Sequence, residues 1–366
     1  MATPTRTEAA VERLDVAAFT IPTDEPESDG TLEWDSTTIV VVEAHAGGET
    51  GLGYTYAAAA AATLVEEKLR DVVVGADALA PQAAALALGR ALRNVGRPGL
   101  AFCALSAVDV ALWDLKARLL GVALADLVGR AHDAVPVYGS GGFCSYSLER
   151  LSEQLGDWAA AGIPRVKMKL GRDPEADPKR LDAAREAIGD DVELYVDANG
   201  AFTPKQAIAW AGRYHGEWGV TWFEEPVSSA DTEGLRLVRE RSELDVAAGE
   251  YAYVPRDFVN LLGAVDCLQA DATRCGGVTG VLAAAGLAQA HQLDLSAHCA
   301  PQLSAHVFCG VPTLRHLEYF HDHVRIERML FDGVLEPDGG ALRPDASRPG
   351  LGVDFKREEA ERWIAG

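Results

Sequence analysis

A chain of 366 residues is too long for one small core and suits one large domain with a smaller companion. With 48% hydrophobic residues it can bury a sizeable core, while a net charge of −22 argues against nucleic acid as a partner, because phosphate binding relies on Lys and Arg. The N-terminal stretch lacks the apolar run of a signal peptide, and no apolar run reaches the roughly 18–20 residues of a membrane span. Its six cysteines are scattered with no CxxC pair, as reduced thiols would be, so a cytoplasmic protein with no membrane partner is expected.

In chain order, "IPTDEPESDGTLEWDS" (21–36) is rich in Pro, Asp, Gly and Ser and reads as a loop, a lid if it covers a site and solvated surface otherwise. "TTIVVVEAHAG" (37–47) reads as a strand ending in a turn, and "GLGYTYA" (51–57) as its hairpin partner. "AAAAAATLVEEKLRDVVVG" (57–75) is helical. "LSAVDVALWDLKARLLGVALADLVG" (105–129) is a long helical stretch broken near Gly121, with its aspartates and Lys116 expected on a polar face. From about residue 135 short apolar strands alternate with helices. "VPVYGSG", "RVKMKLG", "VELYVDANG", "VTWFEEP", "DVAAGE", "CLQADATRCGG", "LDLSAHCA" and "HLEYF" are eight strand-like segments. Such alternation implies a parallel sheet, and this number of units implies a closed barrel. An open doubly wound sheet is disfavoured because no GxGxxG follows the first strand. The boundaries expected are a mixed α+β part over 1–130, the barrel over 131–325, and a segment over 326–366 that packs back on the first part.

Catalytic groups in such barrels sit at the C-terminal ends of strands. There the chain carries Lys167 and Lys169, then Asp197, Glu224, Glu250, Asp271, His298 and Glu318. From Lys169 onward the steps are 28, 27, 26, 21, 27 and 20 residues, each about one βα unit. "DANG", "EEP" or a lone histidine is a weak signal singly, but an ionisable group at every strand end is hard to assign to structural salt bridges. Asp197, Glu224 and Glu250 would converge as three carboxylates that repel unless a cation lies between them. All-oxygen ligands favour Mg²⁺. Lys167 and Lys169, two apart on one strand, face the same way. An exposed edge strand would explain the pair blandly, whereas in a barrel they supply positive charge and a base opposite His298. The reaction this set fits is removal of the proton α to a carboxylate, with the metal stabilising the enolate by several kcal/mol and a positioned base adding roughly 10²–10⁴-fold. For Lys169 to act as that base its pKa must fall, and Lys167 and the metal would both lower it.

With these residues placed, the chain resembles the enolase superfamily over nearly its whole length. "SAVDVALWDLKARLLG", "VKMKLG", "YVDANG", "WFEEP", "AAGE", "CGGVTG" and "PGLG" are similar to its landmarks. The resemblance implies an α+β capping domain on a modified TIM barrel, (β/α)₇β, with a Lys or His base and Mg²⁺. Five residues before the first glycine of "CGGVTG" stands Asp271, where the muconate-lactonizing and dipeptide-epimerase branch has lysine, and the next strand supplies His298. An Asp–His dyad marks the mandelate racemase subgroup; the carboxylate orients the ring and raises its basicity. In that subgroup Glu318 matches an acid that hydrogen-bonds the substrate carboxylate, a role that requires a protonated side chain. Glu250 matches the third metal ligand.

The subgroup implies an acid-sugar dehydratase giving a 2-keto-3-deoxy acid, or a racemase or epimerase using Lys169 and His298 on opposite faces of Cα. Dehydratase is favoured by analogy, and Asp24, Glu25, Glu27, Ser28 and Asp29 of the lid are expected to reach sugar hydroxyls. A dead paralogue would have lost a catalytic position, and none is lost. A metal-dependent hydrolase would recruit histidines, of which only His321 and His323 are a close pair, expected in the loop after the last strand. The partner is a small carboxylate substrate, and the family's dimers and octamers imply a homo-oligomer.

Overall fold

The structure is a computed structural model that describes residues 9–365. The chain begins with an antiparallel sheet of β1 (Arg13–Ser28), β2 (Glu33–Ala46) and β3 (Glu49–Tyr56). The β-branched run of β2 suits a strand. Gly47 and Gly48, both at positive φ, close a two-residue turn into β3. The helix Leu100–Leu120 lies on this sheet so closely that a Cβ on Gly53 would stand 2.1 Å from the Ala107 carbonyl oxygen. It ends at Gly121 in the left-handed conformation, as its glycine suggests.

The expected polar face of this helix is corrected: Asp109 and Asp114 are fully buried. The helix is sandwiched between sheet and barrel, and each carboxylate ties it to a distant segment. Asp109 accepts hydrogen bonds from Thr279 N (3.0 Å) and Thr279 Oγ1 (2.6 Å). Asp114 accepts from Leu52 N (2.7 Å) and from Leu351 N (2.5 Å). Ala365 N donates to Ala18 O at 2.8 Å, so the chain's end also reaches the first sheet.

Eight parallel strands follow: β4 (Val135–Gly141), β5 (Arg165–Lys169), β6 (Glu193–Asp197), β7 (Val220–Glu224), β8 (Asp245–Ala248), β9 (Cys267–Ala270), β10 (Asp294–Ala297) and β11 (Leu314–Phe320). β11 pairs with β4, which closes the barrel. Seven helices separate the eight strands, a (β/α)₇β arrangement. Tyr138, Tyr195, Trp222, Ala247 and Cys267 form a separate apolar cluster, and His316 packs edge-on against Tyr138 and Trp222. All sit on barrel strands, so packed side chains fill the interior as in other barrels of this kind. No helix of the described residues is long and apolar enough to cross a membrane.

Residues 21–36 are not a loop. β1 runs to Ser28, β2 starts at Glu33, and their register is irregular only between Pro22 and Glu27. The turn is held by Asp29 Oδ1, which accepts from Thr31 N (2.6 Å) and Leu32 N (2.7 Å). This hairpin docks on the barrel: Cys144 N donates to Ser28 O at 2.7 Å, and a Cβ on Gly30 would stand 2.4 Å from Ala198 O.

Candidate active site

Alternation along β5 sends Val166 and Met168 into the main hydrophobic core and leaves Lys167 and Lys169 to face the barrel interior. Strand register then aligns Lys169 with Asp197 and Asp197 with Glu224. Asp197 and Glu224 are fully buried, and Glu250, just past β8, is nearly so. One donor atom from each of the three carboxylates lies within 4.8 Å of the others. Hydrogen bonds orient them: Asn199 N donates to Asp197 Oδ1 at 2.8 Å, and Trp222 Nε1 to Glu224 Oε2 at 3.0 Å. The donors are oxygens alone, without thiolate or imidazole, which fits Mg²⁺.

Each carboxylate is matched by a cation of the chain itself. Lys169 Nζ lies 2.5 Å from Asp197 Oδ2, Lys167 Nζ 2.5 Å from Glu224 Oε1, and His298 Nε2 3.2 Å from Glu250 Oε2. Burial acts to lower the pKa of Lys169, and Lys167 adds to that effect, but Asp197 together with Glu318 and Glu224 outweighs both and holds the ammonium above its ordinary range. The expected fall in the Lys169 pKa is therefore absent while Asp197 is its counter-ion. Glu318 is held in a similar way. Burial acts to raise its pKa, yet Lys167 at 2.8 Å, with His298 and Lys169, holds the carboxyl below the usual range, so these cations favour its ionised form. Ser140 Oγ donates to the same oxygen at 2.6 Å.

Asp271 and His298 meet as a dyad, His298 Nδ1 lying 2.7 Å from Asp271 Oδ2. Burial opposes charge on the ring, but Cys299, Glu250, Glu318 and the bond to Asp271 hold its pKa well above the ordinary value. The Cys299 thiol is itself pushed up by burial and Glu318, so it is neutral and the carboxylates carry the effect.

Lys169, Glu250, His298 and Glu318 line one cavity of about 360 Å³ under the hairpin. A larger cavity of about 530 Å³ lies elsewhere, beside Trp158 and Arg328, and touches none of these groups, so the chemistry belongs to the smaller one. Of the lid residues expected to reach substrate, only Asp29 lines the cavity; the hairpin otherwise presents Leu32, Trp34 and the hydroxyl residues Ser36, Thr37 and Thr38. His321 opens a helix directly after β11 instead of lying in a loop, and His323 stacks on Tyr56 with ring centroids 3.4 Å apart at the cavity wall. Arg274 was missed by sequence reasoning: it touches both Glu250 and Asp271 at 3.4 Å. Its place in "ATRCGG", three residues past Asp271, was the available signal. Also unforeseen are the positive φ angles of Asn199, Glu225, Cys299 and Ala300. They lie within two residues of Asp197, Glu224 and His298, where backbone strain commonly marks functional sites.

The family description "Mandelate racemase / muconate lactonizing enzyme, N-terminal domain" matches residues 20–129, and "Enolase C-terminal domain-like" matches 150–360. The chain belongs to the mandelate racemase/muconate lactonizing enzyme family of the enolase superfamily. A 3,6-anhydro-alpha-L-galactonate cycloisomerase from Streptomyces coelicolor is 35% identical, over 94% of this chain and 97% of that one. The crystal structure of a mandelate racemase/muconate lactonizing enzyme-like protein from Rubrobacter xylanophilus is 61% identical, covers 97% of this chain and 100% of its own, and superposes with a TM-score of 0.96. L-talarate/galactarate dehydratase from Salmonella typhimurium, crystallised with Mg and L-lyxarohydroxamate, is 29% identical, covers 100% and 95%, and superposes with a TM-score of 0.90. Other relatives are acid-sugar dehydratases and an epimerase. Magnesium is the cofactor of this family, and several related structures hold it.

Proposed function

We propose that this enzyme removes the proton α to the carboxylate of an acid sugar and dehydrates it to a 2-keto-3-deoxy acid. One observation carries the reading: Lys169 from β5 and His298 from beyond β10 line a single cavity, with Asp271 behind the histidine. Asp197, Glu224 and Glu250 would hold Mg²⁺. Bound there, the ion supplies positive charge where the substrate carboxylate gains a second negative charge on forming the enolate. Lys167 would orient that carboxylate through its ammonium, and Glu318, 2.8 Å from Lys167, would do so only when protonated. Asp271 fixes the proton of His298 on Nδ1, leaving Nε2 to accept or return a proton. The buried walls limit water around the reacting carbon.

An isomerase is the second reading, favoured by the cycloisomerase relative that matches nearly the whole chain. The two share their first step. A β-hydroxyl that leaves gives dehydration, whereas a β-oxygen belonging to a ring leaves without departing from the molecule and the product is an isomer. Reprotonation on the opposite face, with no leaving group, gives racemisation or epimerisation.

The test is NMR in D₂O with Mg²⁺ over sugar mono- and diacids, anhydro and lactone forms, and mandelate-like acids. Loss of the α-proton with a keto acid appearing supports dehydration. Deuterium at Cα of an intact skeleton supports racemisation, and a ring-opened product of unchanged mass apart from deuterium supports cycloisomerisation. No exchange with any acid, from protein that binds Mg²⁺, refutes the reading.

A further inference from the structure

A second set of metal-ligating side chains lies outside the cavity, where the root of the hairpin meets the end of the barrel. Asp24 and Glu27 come from β1, and His321 is the first residue after β11. One donor atom from each lies within 4.8 Å of the others. Asp24 Oδ2 and His321 Nε2 are hydrogen-bonded at 2.9 Å, a contact that an ion bound between them would replace.

Two buried carboxylates there are incompletely satisfied. Glu27 is 0% exposed; its Oε2 accepts from Trp34 Nε1 at 2.8 Å, but its Oε1 has no hydrogen-bond partner. Asp322 is also 0% exposed; Arg325 binds its Oδ1, and its Oδ2 has no partner. Of all charged neighbours, Asp322 acts most strongly on Glu27. Buried carboxylate oxygens normally find donors, and a pair left without them beside each other calls for an unseen ligand. The surrounding charge has the same sense. Among the described residues Asp24, Glu25, Glu27 and Asp322 face two guanidinium groups, Arg150 on Asp24 and Glu25 and Arg325 on Asp322, and the His321 imidazole on Asp24. With all four ionised the excess is two negative charges, but burial and Asp322 push the Glu27 carboxyl up to about 9, so a cation binding there would displace its proton.

We propose that Asp24, Glu27 and His321 form a second divalent-metal site, which fastens the hairpin to the barrel. One imidazole with two carboxylates suits a first-row transition ion such as Mn²⁺ or Zn²⁺ better than Mg²⁺. Asp322 would lie in its outer shell, and Arg325, which also donates to Pro22 O at 2.7 Å, would brace the same corner. The site is separate from the three carboxylates of the barrel, so its existence does not depend on the proposed reaction.

The test is the stoichiometry of Mn²⁺ binding, followed by electron paramagnetic resonance on full-length protein. Wild type is expected to bind two ions per chain. His321→Ala and Glu27→Gln should each bind one, while Asp197→Asn should keep the hairpin ion. His321 is partly exposed, so its replacement provides a folded variant if Glu27→Gln fails to fold. Mn²⁺ should also raise the melting temperature of wild type more than that of His321→Ala. One ion per chain in wild type that survives His321→Ala would overturn the proposal, and so would two ions in both proteins. The orphan oxygens would then be bridged by a proton or water.

Discussion

Replacing Asp271 by Asn tests how the dyad sets the histidine. Asp271 Oδ1 accepts from Thr273 N at 2.6 Å and Thr273 Oγ1 at 2.7 Å, while Oδ2 faces His298 Nδ1 at 2.7 Å. A backbone N–H can only donate, so the new amide must keep its oxygen toward Thr273 and turn its NH₂ to the ring. A donor facing Nδ1 requires a lone pair there and moves the proton of the neutral ring to Nε2. Losing a hydrogen bond to a charged partner removes about 1.5–3 kcal/mol. At 1.36 kcal/mol per decade, that lowers the ring's proton affinity roughly ten- to a hundredfold. Since the wild-type ring stays protonated above its ordinary range, the variant's titration should move down by about one to two pH units. General-base help on the His298 face should fall by roughly 10²–10⁴-fold. ¹⁵N NMR of histidine-labelled protein, with His298→Asn for assignment, reads the tautomer; α-proton exchange in D₂O reads each face. A variant ring that keeps the Nδ1–H tautomer, or equal loss of exchange on both faces, would refute this account of the dyad.

Burial pushes the Glu224 carboxyl up to about 8 against the lowering effect of Lys167, so protons compete with the metal there. Mg²⁺ affinity by calorimetry should weaken by up to about tenfold per pH unit below that value; a flat profile between about pH 6.5 and 8.5 would sink the idea. Asp109 is pushed up to about 7 by burial despite its bonds from Thr279. The folded chain therefore holds this proton more tightly than the unfolded chain, and the group's contribution to stability falls as pH rises from about 4 to 7. Asp109→Asn should flatten that part of the melting-temperature profile; slopes equal to wild type would contradict it. At Gly30, a Cβ would also stand 2.8 Å from Leu170 O, so Gly30→Ala should lift the hairpin tip. A rise in KM of about tenfold, roughly 1.4 kcal/mol of lost substrate binding, is expected with kcat little changed. An unchanged KM in folded protein would show that the tip does not help to hold substrate.

The strand ends were legible because two periods act together: alternation selects the inward residue, and the βα repeat locates the next one. Other features depend on contacts that no local pattern contains. Pro22, Pro26 and six acidic residues make 21–36 look solvated, yet its pairing is stabilised by distant groups such as Cys144 N and the Arg325 guanidinium. Asp109 and Asp114 look like a polar face because helical periodicity cannot show that Thr279 and Leu351 supply their donors. The hold of Asp197 on the Lys169 proton was not legible for a related reason. Its neighbour along the strand, Lys167, was visible, whereas Asp197 at 2.5 Å is a neighbour across strands and the stronger influence. The same pairing constrains the chemistry. Each candidate base is held protonated by a candidate metal ligand, Lys169 by Asp197 and His298 in part by Glu250. Neither base can release its proton at neutral pH until those carboxylates are neutralised in another way. Cation binding and base strength are thus one coupled equilibrium, and a pH profile measured without saturating Mg²⁺ would report both.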